Sequence, residues 1–190
     1  MPLLKEQPSY SYADYLEWEE GERYEIIDGE AYMMATPSRI HQEISMVLST
    51  AINNFLKDKP CKVYAAPFSV RLFPAEDLSD DTVVEPDITV VCDPAKLDER
   101  GCNGAPDFII EIVSPSTGRY DRIVKFNKYR EAGVREYWIA DPEHKDVFVY
   151  VLKNGEYTAV NYADTETVPV TVLPGCEIDL KTVFGAAETQ

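Results

Sequence analysis

The stretch Phe108-Ile-Ile-Glu-Ile-Val113 decides the fold class of this 190-residue chain. Its apolar residues run continuously except at Glu111, and such a short run is typical of a central strand that is covered on both faces. A carboxylate in a strand of this kind is costly to bury unless it is paired or bound to a cation. The stretch therefore predicts a buried strand and, at Glu111, a candidate site.

A second acid stands in an apolar strand upstream. Asp87 lies in Glu85-Pro-Asp-Ile-Thr-Val-Val91, within a strand predicted over 83–92. Either acid alone is as readily explained by a salt bridge at a strand end. Two acids on neighbouring strands, however, form the hard-oxygen site that Mg²⁺ prefers. The pair therefore favours a metal site formed by Asp87 and Glu111.

The remaining patterns predict an α/β fold, with a mixed β-sheet flanked by helices and with additional β-hairpins. We expect a single domain over 1–190, with an N-terminal helix and hairpin at 11–35, a core at 37–141, and a C-terminal hairpin and tail at 146–190. The predicted elements are a helix over 12–20, a hairpin turning on Asp28-Gly29, a helix from Pro37-Ser38 to Pro60, strands over 62–73, 83–92 and 108–113, a loop over 93–105, a helix over 119–132 ending at Gly133, a strand over 136–140, a hairpin around Asn154-Gly155, and a strand near 168–172.

The helix predicted after Glu111 is basic. Residues 119–130 carry five Lys and Arg side chains against one acid. Lys125 lies about one turn into this helix, so it can reach back toward the end of the Glu111 strand. Arg122 and Arg71 are candidates for contacting substrate phosphates, although ordinary surface charge explains them equally well.

Composition limits the possible functions. The formal net charge of −16, with a pI near 4.4, argues against a protein that coats nucleic acid indiscriminately, because phosphate affinity normally comes from Lys and Arg. A divalent cation can supply the missing positive charge at one phosphate. The N-terminal residues lack the pattern of a signal peptide, and no apolar stretch approaches the roughly 20 residues of a membrane span. These features predict a cytoplasmic protein without a membrane segment.

The four cysteines are dispersed, without a CxxC pair, and the chain has only two histidines. A zinc site draws on clustered Cys and His, so this pattern disfavours one. The pattern favours reduced, structural thiols.

Several phrases of the sequence resemble a known family. Pro86-Asp87, followed about two dozen residues later by Glu111-Ile-Val113, resembles the PD-(D/E)XK pattern of restriction-endonuclease-like enzymes, except that Val113 stands where that pattern has lysine. Further phrases, over about 12–157, resemble the Uma2 family, a bacterial branch of that superfamily. These phrases are Arg-Tyr-Glu-Ile-Ile-Asp-Gly-Glu, Pro-Asp-Ile-Thr-Val-Val, Ile-Glu-Ile-Val-Ser-Pro-Ser-Thr, Asp-Arg-Ile-Val-Lys and Gly-Val-Arg-Glu-Tyr-Trp-Ile-Ala-Asp-Pro. In that family the lysine is found on the following helix, which matches Lys125.

The resemblance implies a restriction-endonuclease-like core and a DNA endonuclease that depends on Mg²⁺ or Mn²⁺. It implies that Asp87, Glu111 and the backbone carbonyl of Ile112 hold the ion, while Lys125 orients the attacking water. Two further candidates could support a metal-bound water, namely Glu25 in the first hairpin and His41 near the start of the first long helix.

The alternative is a catalytically silent nuclease-fold protein that acts in protein or nucleic-acid interaction. The negative charge and Val113 favour this alternative, whereas the buried acids favour the enzyme. A homodimer would suit double-strand cutting. If Asp87 serves only a metal, we expect Asp87→Ala to raise the melting temperature without magnesium.

Overall fold

The computed structural model describes residues 9–18, 23–113 and 121–185, with only the backbone described at 121 and 122. The described α-helices are α1 (Tyr12–Tyr15), α2 (Arg39–Phe55), α3 (Phe126–Ala132) and α4 (Leu180–Gly185). A 3₁₀ turn covers Pro94–Lys96, and a π-helical turn, Asp121–Lys125, leads into α3. No described helix is both long and apolar enough to cross a membrane.

The strands are β1 (Tyr24–Ile27), β2 (Glu30–Met33), β3 (Lys62–Ala65), β4 (Ser69–Arg71), β5 (Val83–Val84), β6 (Ile88–Val91), β7 (Gly101–Asn103), β8 (Phe108–Ile112), β9 (Glu136–Asp141), β10 (Asp146–Lys153), β11 (Glu156–Ala163), β12 (Thr167–Pro169) and β13 (Glu177–Asp179). A six-stranded sheet has the order β11-β10-β9-β8-β6-β3, and a five-stranded sheet has the order β2-β1-β5-β4-β7. Both sheets are mixed, because β8–β9 and β4–β7 are parallel pairs and the other pairs are antiparallel. β12 and β13 form a separate hairpin.

The prediction of one mixed sheet is therefore wrong, although the mixed α/β class is confirmed. The stretches 62–73 and 83–92 each contain two strands, which belong to different sheets. Pro67 and Pro86 lie at the two breaks. Proline lacks the N–H that a ladder needs and restricts the residue before it. The apolar composition continues through both breaks, which is why each stretch resembles a single strand.

Helix α2 covers the outer face of the six-stranded sheet. Ser38 caps its N-terminus by accepting a hydrogen bond from the backbone N–H of His41. Ile44, Leu48 and Ile52 recur every four residues, so they share one face and are fully buried against this sheet. The predicted helix from Pro37-Ser38 is confirmed, although it ends at Phe55, before Pro60.

The space between the two sheets holds a second apolar core. Ile27 and Val84 enter it from the five-stranded sheet, and Ile109 enters it from the six-stranded sheet. Val113 also packs in this core, so an apolar side chain fills the position where the superfamily pattern has lysine. This interior also contains the predicted site residue Glu111, because side chains alternate along β8.

Local turn signals were reliable. Asp28 and Gly29 adopt φ of 52° and 76°, and Asn154 and Gly155 adopt 52° and 82°, as the two predicted hairpins require. Gly133 ends α3 in the left-handed region at φ 89°.

Element bounds were less reliable. Helix α1 ends at Tyr15 and not at 20, and the predicted loop over 93–105 contains β7. The strand near 168–172 is shorter and lies at Thr167–Pro169. The first residues of the helix predicted over 119–132 lie outside the described residues, and the described part begins as a π-helical turn.

The prediction of four reduced thiols is wrong for one pair. Cys61 and Cys92 form a disulfide, while Cys102 and Cys176 are free and buried. The pairing of β3 with β6 places Lys62 opposite Val91, so the next residue outward on each strand is a cysteine. The sequence offered no sign of this, because the cross-strand register follows from the sheet.

Candidate active site

The candidate site lies where the chain passes from the five-stranded to the six-stranded sheet. Strand β5 ends at Val84 and β6 begins at Ile88, with Asp87 immediately before it. In the register of β6 with β8, Ile88 lies opposite Ile110. Extending that register by one residue places Asp87 opposite Glu111. The Asp87 carboxylate also accepts a hydrogen bond from the backbone N–H of Ile112, so Asp87 adjoins β8 beside Glu111.

Lys125 reaches this pair from the π-helical turn. Its Nζ lies 2.8 Å from Oε1 of Glu25 and 3.0 Å from Oε1 of Glu111. The three side chains are only 4% exposed. The structure thus brings Lys125 to the Glu111 strand, as predicted, and it places Glu25 with them. Their catalytic roles remain predictions.

Tyr129 joins the same group, although the sequence did not mark it as a site residue. Its hydroxyl donates to Oε1 of Glu111 at 2.6 Å. Burial, followed by the nearby carboxylates of Glu111 and Glu25, raises the pKa of Tyr129 well above its ordinary value, so the phenol remains a donor. The signal in the sequence was the spacing of Tyr129 from Lys125, because residues four apart on a helix lie on the same face.

Asp87 is held by two contacts. Its Oδ2 accepts a hydrogen bond from the backbone N–H of Ile112 at 2.7 Å, and its Oδ1 lies 3.0 Å from Nε2 of His41. His41 thus contacts the predicted metal ligand Asp87, and its catalytic role remains a prediction. Its Nδ1 is buried and has no hydrogen-bond partner among the described residues. The Ile112 carbonyl as a metal ligand remains a prediction.

Glu25 is anchored through Glu85, which the sequence reasoning did not select. The backbone N–H of Glu85 donates to Oε1 of Glu25 at 2.9 Å. The Glu85 carboxylate accepts hydrogen bonds from Nε of Arg23 at 2.8 Å and from the hydroxyl of Tyr15 at 2.9 Å. Burial chiefly raises the pKa of Tyr15 to about 12. The only signal in the sequence was the position of Glu85 directly before Pro86-Asp87.

Arg71 does not join the site. Its Nε donates to Asp80 at 2.8 Å, its Nη1 to Asn103 at 3.0 Å, and its Nη2 to the carbonyl of Ala75 at 2.8 Å. The guanidinium also lies over the ring of Tyr12, at 4.3 Å from the centroid. These contacts give Arg71 a structural role, and its predicted phosphate contact remains a prediction.

Arg122 lies in the π-helical turn, but its side chain is outside the described residues. Its predicted phosphate contact therefore remains a prediction.

The candidate site contains carboxylate oxygens, which are the ligands that Mg²⁺ prefers. Within the described residues, no group of three or more His, Cys, Asp or Glu is arranged to hold a metal ion. Mg²⁺ needs only one or two carboxylates and retains several waters, so the opposed Asp87 and Glu111 are a suitable pair.

Two cyanobacterial relatives resemble this chain. The uncharacterised protein slr1290 of Synechocystis sp. PCC 6803 is 29% identical over 159 residues, which cover 82% of this chain and 81% of the relative. The uncharacterised protein sll1609 of the same organism is 28% identical over 134 residues, or 68% of this chain and 73% of that protein.

A solved structure has a similar fold. It is the crystal structure of "a putative nuclease belonging to DUF820" from Anabaena variabilis, with a TM-score of 0.75 and 22% identity, covering 94% of this chain and 99% of that one. A family model described as "Putative restriction endonuclease" matches residues 12–181. Because that match covers most of the sequence, and includes Glu25, Asp87, Glu111 and Lys125, this chain belongs to the Uma2 family.

Proposed function

We propose that this protein is a Mg²⁺- or Mn²⁺-dependent endonuclease that hydrolyses phosphodiester bonds in DNA, on a restriction-endonuclease-like core. The observation that carries the proposal is the buried group of Glu25, Lys125 and Glu111 beside Asp87. Burying such a group is costly unless a partner compensates it. A divalent cation bound at Asp87 and Glu111 would contribute to that compensation.

Asp87 and Glu111, with the backbone carbonyl of Ile112, would hold the cation. A bound Mg²⁺ supplies Lewis-acid stabilisation of the phosphate and lowers the pKa of a bound water. Lys125 orients the attacking water and offsets negative charge that develops on the phosphate. Its ammonium is already positioned by two carboxylates, so it needs little reorganisation.

Glu25 and His41 act through these residues. Glu25 holds the ammonium of Lys125 at 2.8 Å. His41 contacts the oxygen of Asp87 that does not bind the Ile112 amide, and so fixes the orientation of that carboxylate. In this proposal both residues have positioning roles.

The test is cleavage of supercoiled plasmid and of single-stranded DNA with Mg²⁺ or Mn²⁺. Lys125→Ala and Asp87→Asn are compared with the parent and with Lys128→Met, which changes a lysine on the same helix outside the buried group. We expect both site variants to lose cleavage and the control to retain it. Cleavage that survives in Lys125→Ala would remove the lysine from the mechanism, while cleavage that survives in Asp87→Asn would refute the site.

The second candidate is a silent nuclease-fold protein that binds a protein or a nucleic acid. Val113 in the apolar core and the net charge of −16 favour it. An intact parent that neither cleaves DNA nor binds either metal by calorimetry would establish this alternative over the enzyme.

We also propose a homodimer, in which two such sites would act on the two strands of a duplex. Light scattering coupled to size exclusion tests it directly. A monomeric mass at working concentrations would refute the dimer without affecting the site.

A further inference from the structure

Tyr129 and Lys125 bind the same oxygen atom. The Tyr129 hydroxyl lies 2.6 Å from Oε1 of Glu111, and Lys125 Nζ lies 3.0 Å from that atom. Lys125 ends the π-helical turn and Tyr129 lies four residues later in α3, so one helix face presents both donors. π-Helical turns are frequent at functional sites.

Packing of its ring also fixes the position of the Tyr129 side chain. Tyr129 is fully buried and packs edge-on against Tyr137 of β9, with ring centroids 4.9 Å apart and planes at 73°. Strand β9 is the parallel neighbour of β8, which carries Glu111. The hydroxyl therefore cannot leave Glu111 unless the ring also leaves its place between α3 and the sheet.

A packing role alone does not explain the hydroxyl. A phenylalanine would fill the same apolar space, whereas a buried hydroxyl is unfavourable unless it is hydrogen-bonded. Here its partner is the carboxylate that, in the proposed function, holds the cation. Groups that hydrogen-bond a metal-binding carboxylate orient it and tune its affinity, and losing one typically costs 10–100-fold in metal affinity or activity.

We propose that Tyr129 is a positioning residue that, together with Lys125, holds one oxygen of Glu111 and so presets the carboxylate for a divalent cation. The proposal rests on the proposed function but assigns a role that neither the superfamily pattern nor the family description contains. Tyr129 does not contact substrate. It acts entirely through Glu111.

The experiment measures binding of Mg²⁺ and Mn²⁺ to the full-length chain by calorimetry, together with the metal-induced rise in melting temperature. Tyr129→Phe removes the hydroxyl but keeps the ring. Tyr157→Phe is the matched control, because Tyr157 belongs to the same core but donates to a backbone carbonyl, that of Val134, at 2.8 Å. Replacing Tyr129 by 4-aminophenylalanine restores an N–H donor in place of the O–H.

We expect metal affinity to fall about 10–100-fold in Tyr129→Phe, to stay close to the parent in Tyr157→Phe, and to recover in the 4-aminophenylalanine variant. Each variant is compared with itself, with and without metal, so a general loss of stability cancels. We also expect the cleavage rate of Tyr129→Phe to recover at high metal concentration.

The outcomes separate the two proposals. If the parent and Tyr129→Phe bind metal equally, the positioning role is overturned and the proposed function stands. If Tyr129→Phe weakens binding but the aminophenylalanine variant does not recover it, the effect is steric and the role is also overturned. If the parent binds no metal and cleaves no DNA, the proposed function fails and the role of Tyr129 fails with it.

Discussion

Lys125→Met provides a demanding test of the buried ion network. The substitution removes the ammonium that lies 2.8 Å from Glu25 and 3.0 Å from Glu111, and it leaves both carboxylates almost completely buried without their cation. Breaking a buried ion pair by removing one partner typically costs about 3–5 kcal/mol. In a protein of this size 1 kcal/mol shifts the melting temperature by about 2–4 °C, so the expected loss is about 6–20 °C.

The matched control is Lys128→Met. Lys128 lies one turn further along the same helix and also pairs with the first hairpin, through Asp28, whose side chain is 64% exposed. Surface pairs of this kind contribute about 0–1 kcal/mol. The assay is urea unfolding followed by circular dichroism, with each variant measured in the absence of divalent metal and again in millimolar Mg²⁺.

A second variant separates charge from packing. Adding Glu25→Gln to Lys125→Met removes the charge of one of the two carboxylates that Lys125 contacts, so the double variant should recover part of the lost stability. If Lys125→Met is as stable as Lys128→Met, or if Glu25→Gln gives no recovery, the buried ion network is refuted. If Mg²⁺ stabilises Lys125→Met more than the parent, the ion and the ammonium neutralise the same carboxylates.

Three further predictions follow from single contacts. Asp87→Ala should lower the free energy of unfolding without metal by about 1–3 kcal/mol, because it leaves the Ile112 amide and His41 without their partner. It should also abolish stabilisation by Mg²⁺. A higher melting temperature than that of the parent would contradict this and restore the expectation drawn from the sequence. Burial raises the pKa of Glu136, so the folded state holds this proton more tightly than the unfolded chain does, and the contribution of Glu136 to stability falls as the pH rises above its ordinary pKa of 4.5. In urea titrations, the stability of the parent relative to Glu136→Gln should therefore decline from pH 4 to pH 7. A constant difference over this range would contradict the prediction. In denaturant without reductant, thiol titration should detect two thiols, those of Cys102 and Cys176, whereas with reductant it should detect four. Four thiols in both conditions would contradict the Cys61–Cys92 disulfide.

The sequence by itself determined the features that depend on nearby residues. The hairpin at Asp28-Gly29 follows from two adjacent residues that tolerate positive φ, and α2 follows from an apolar repeat every three to four residues. The central strand around Glu111 follows from a continuous apolar run, which also marked its carboxylate as unusual. These signals act over a few residues, so they remain visible without the tertiary structure.

Only the tertiary structure decided how these elements meet. It divided two apolar stretches between two sheets, paired Cys61 with Cys92, and brought Glu25 of the first hairpin to Lys125 of a distant helix. It also made the hydroxyl of Tyr129 a hydrogen-bond partner of Glu111. Such contacts depend on which strands pair and which faces are buried together. Those choices are made by burial summed over the whole chain, and no local spacing encodes them.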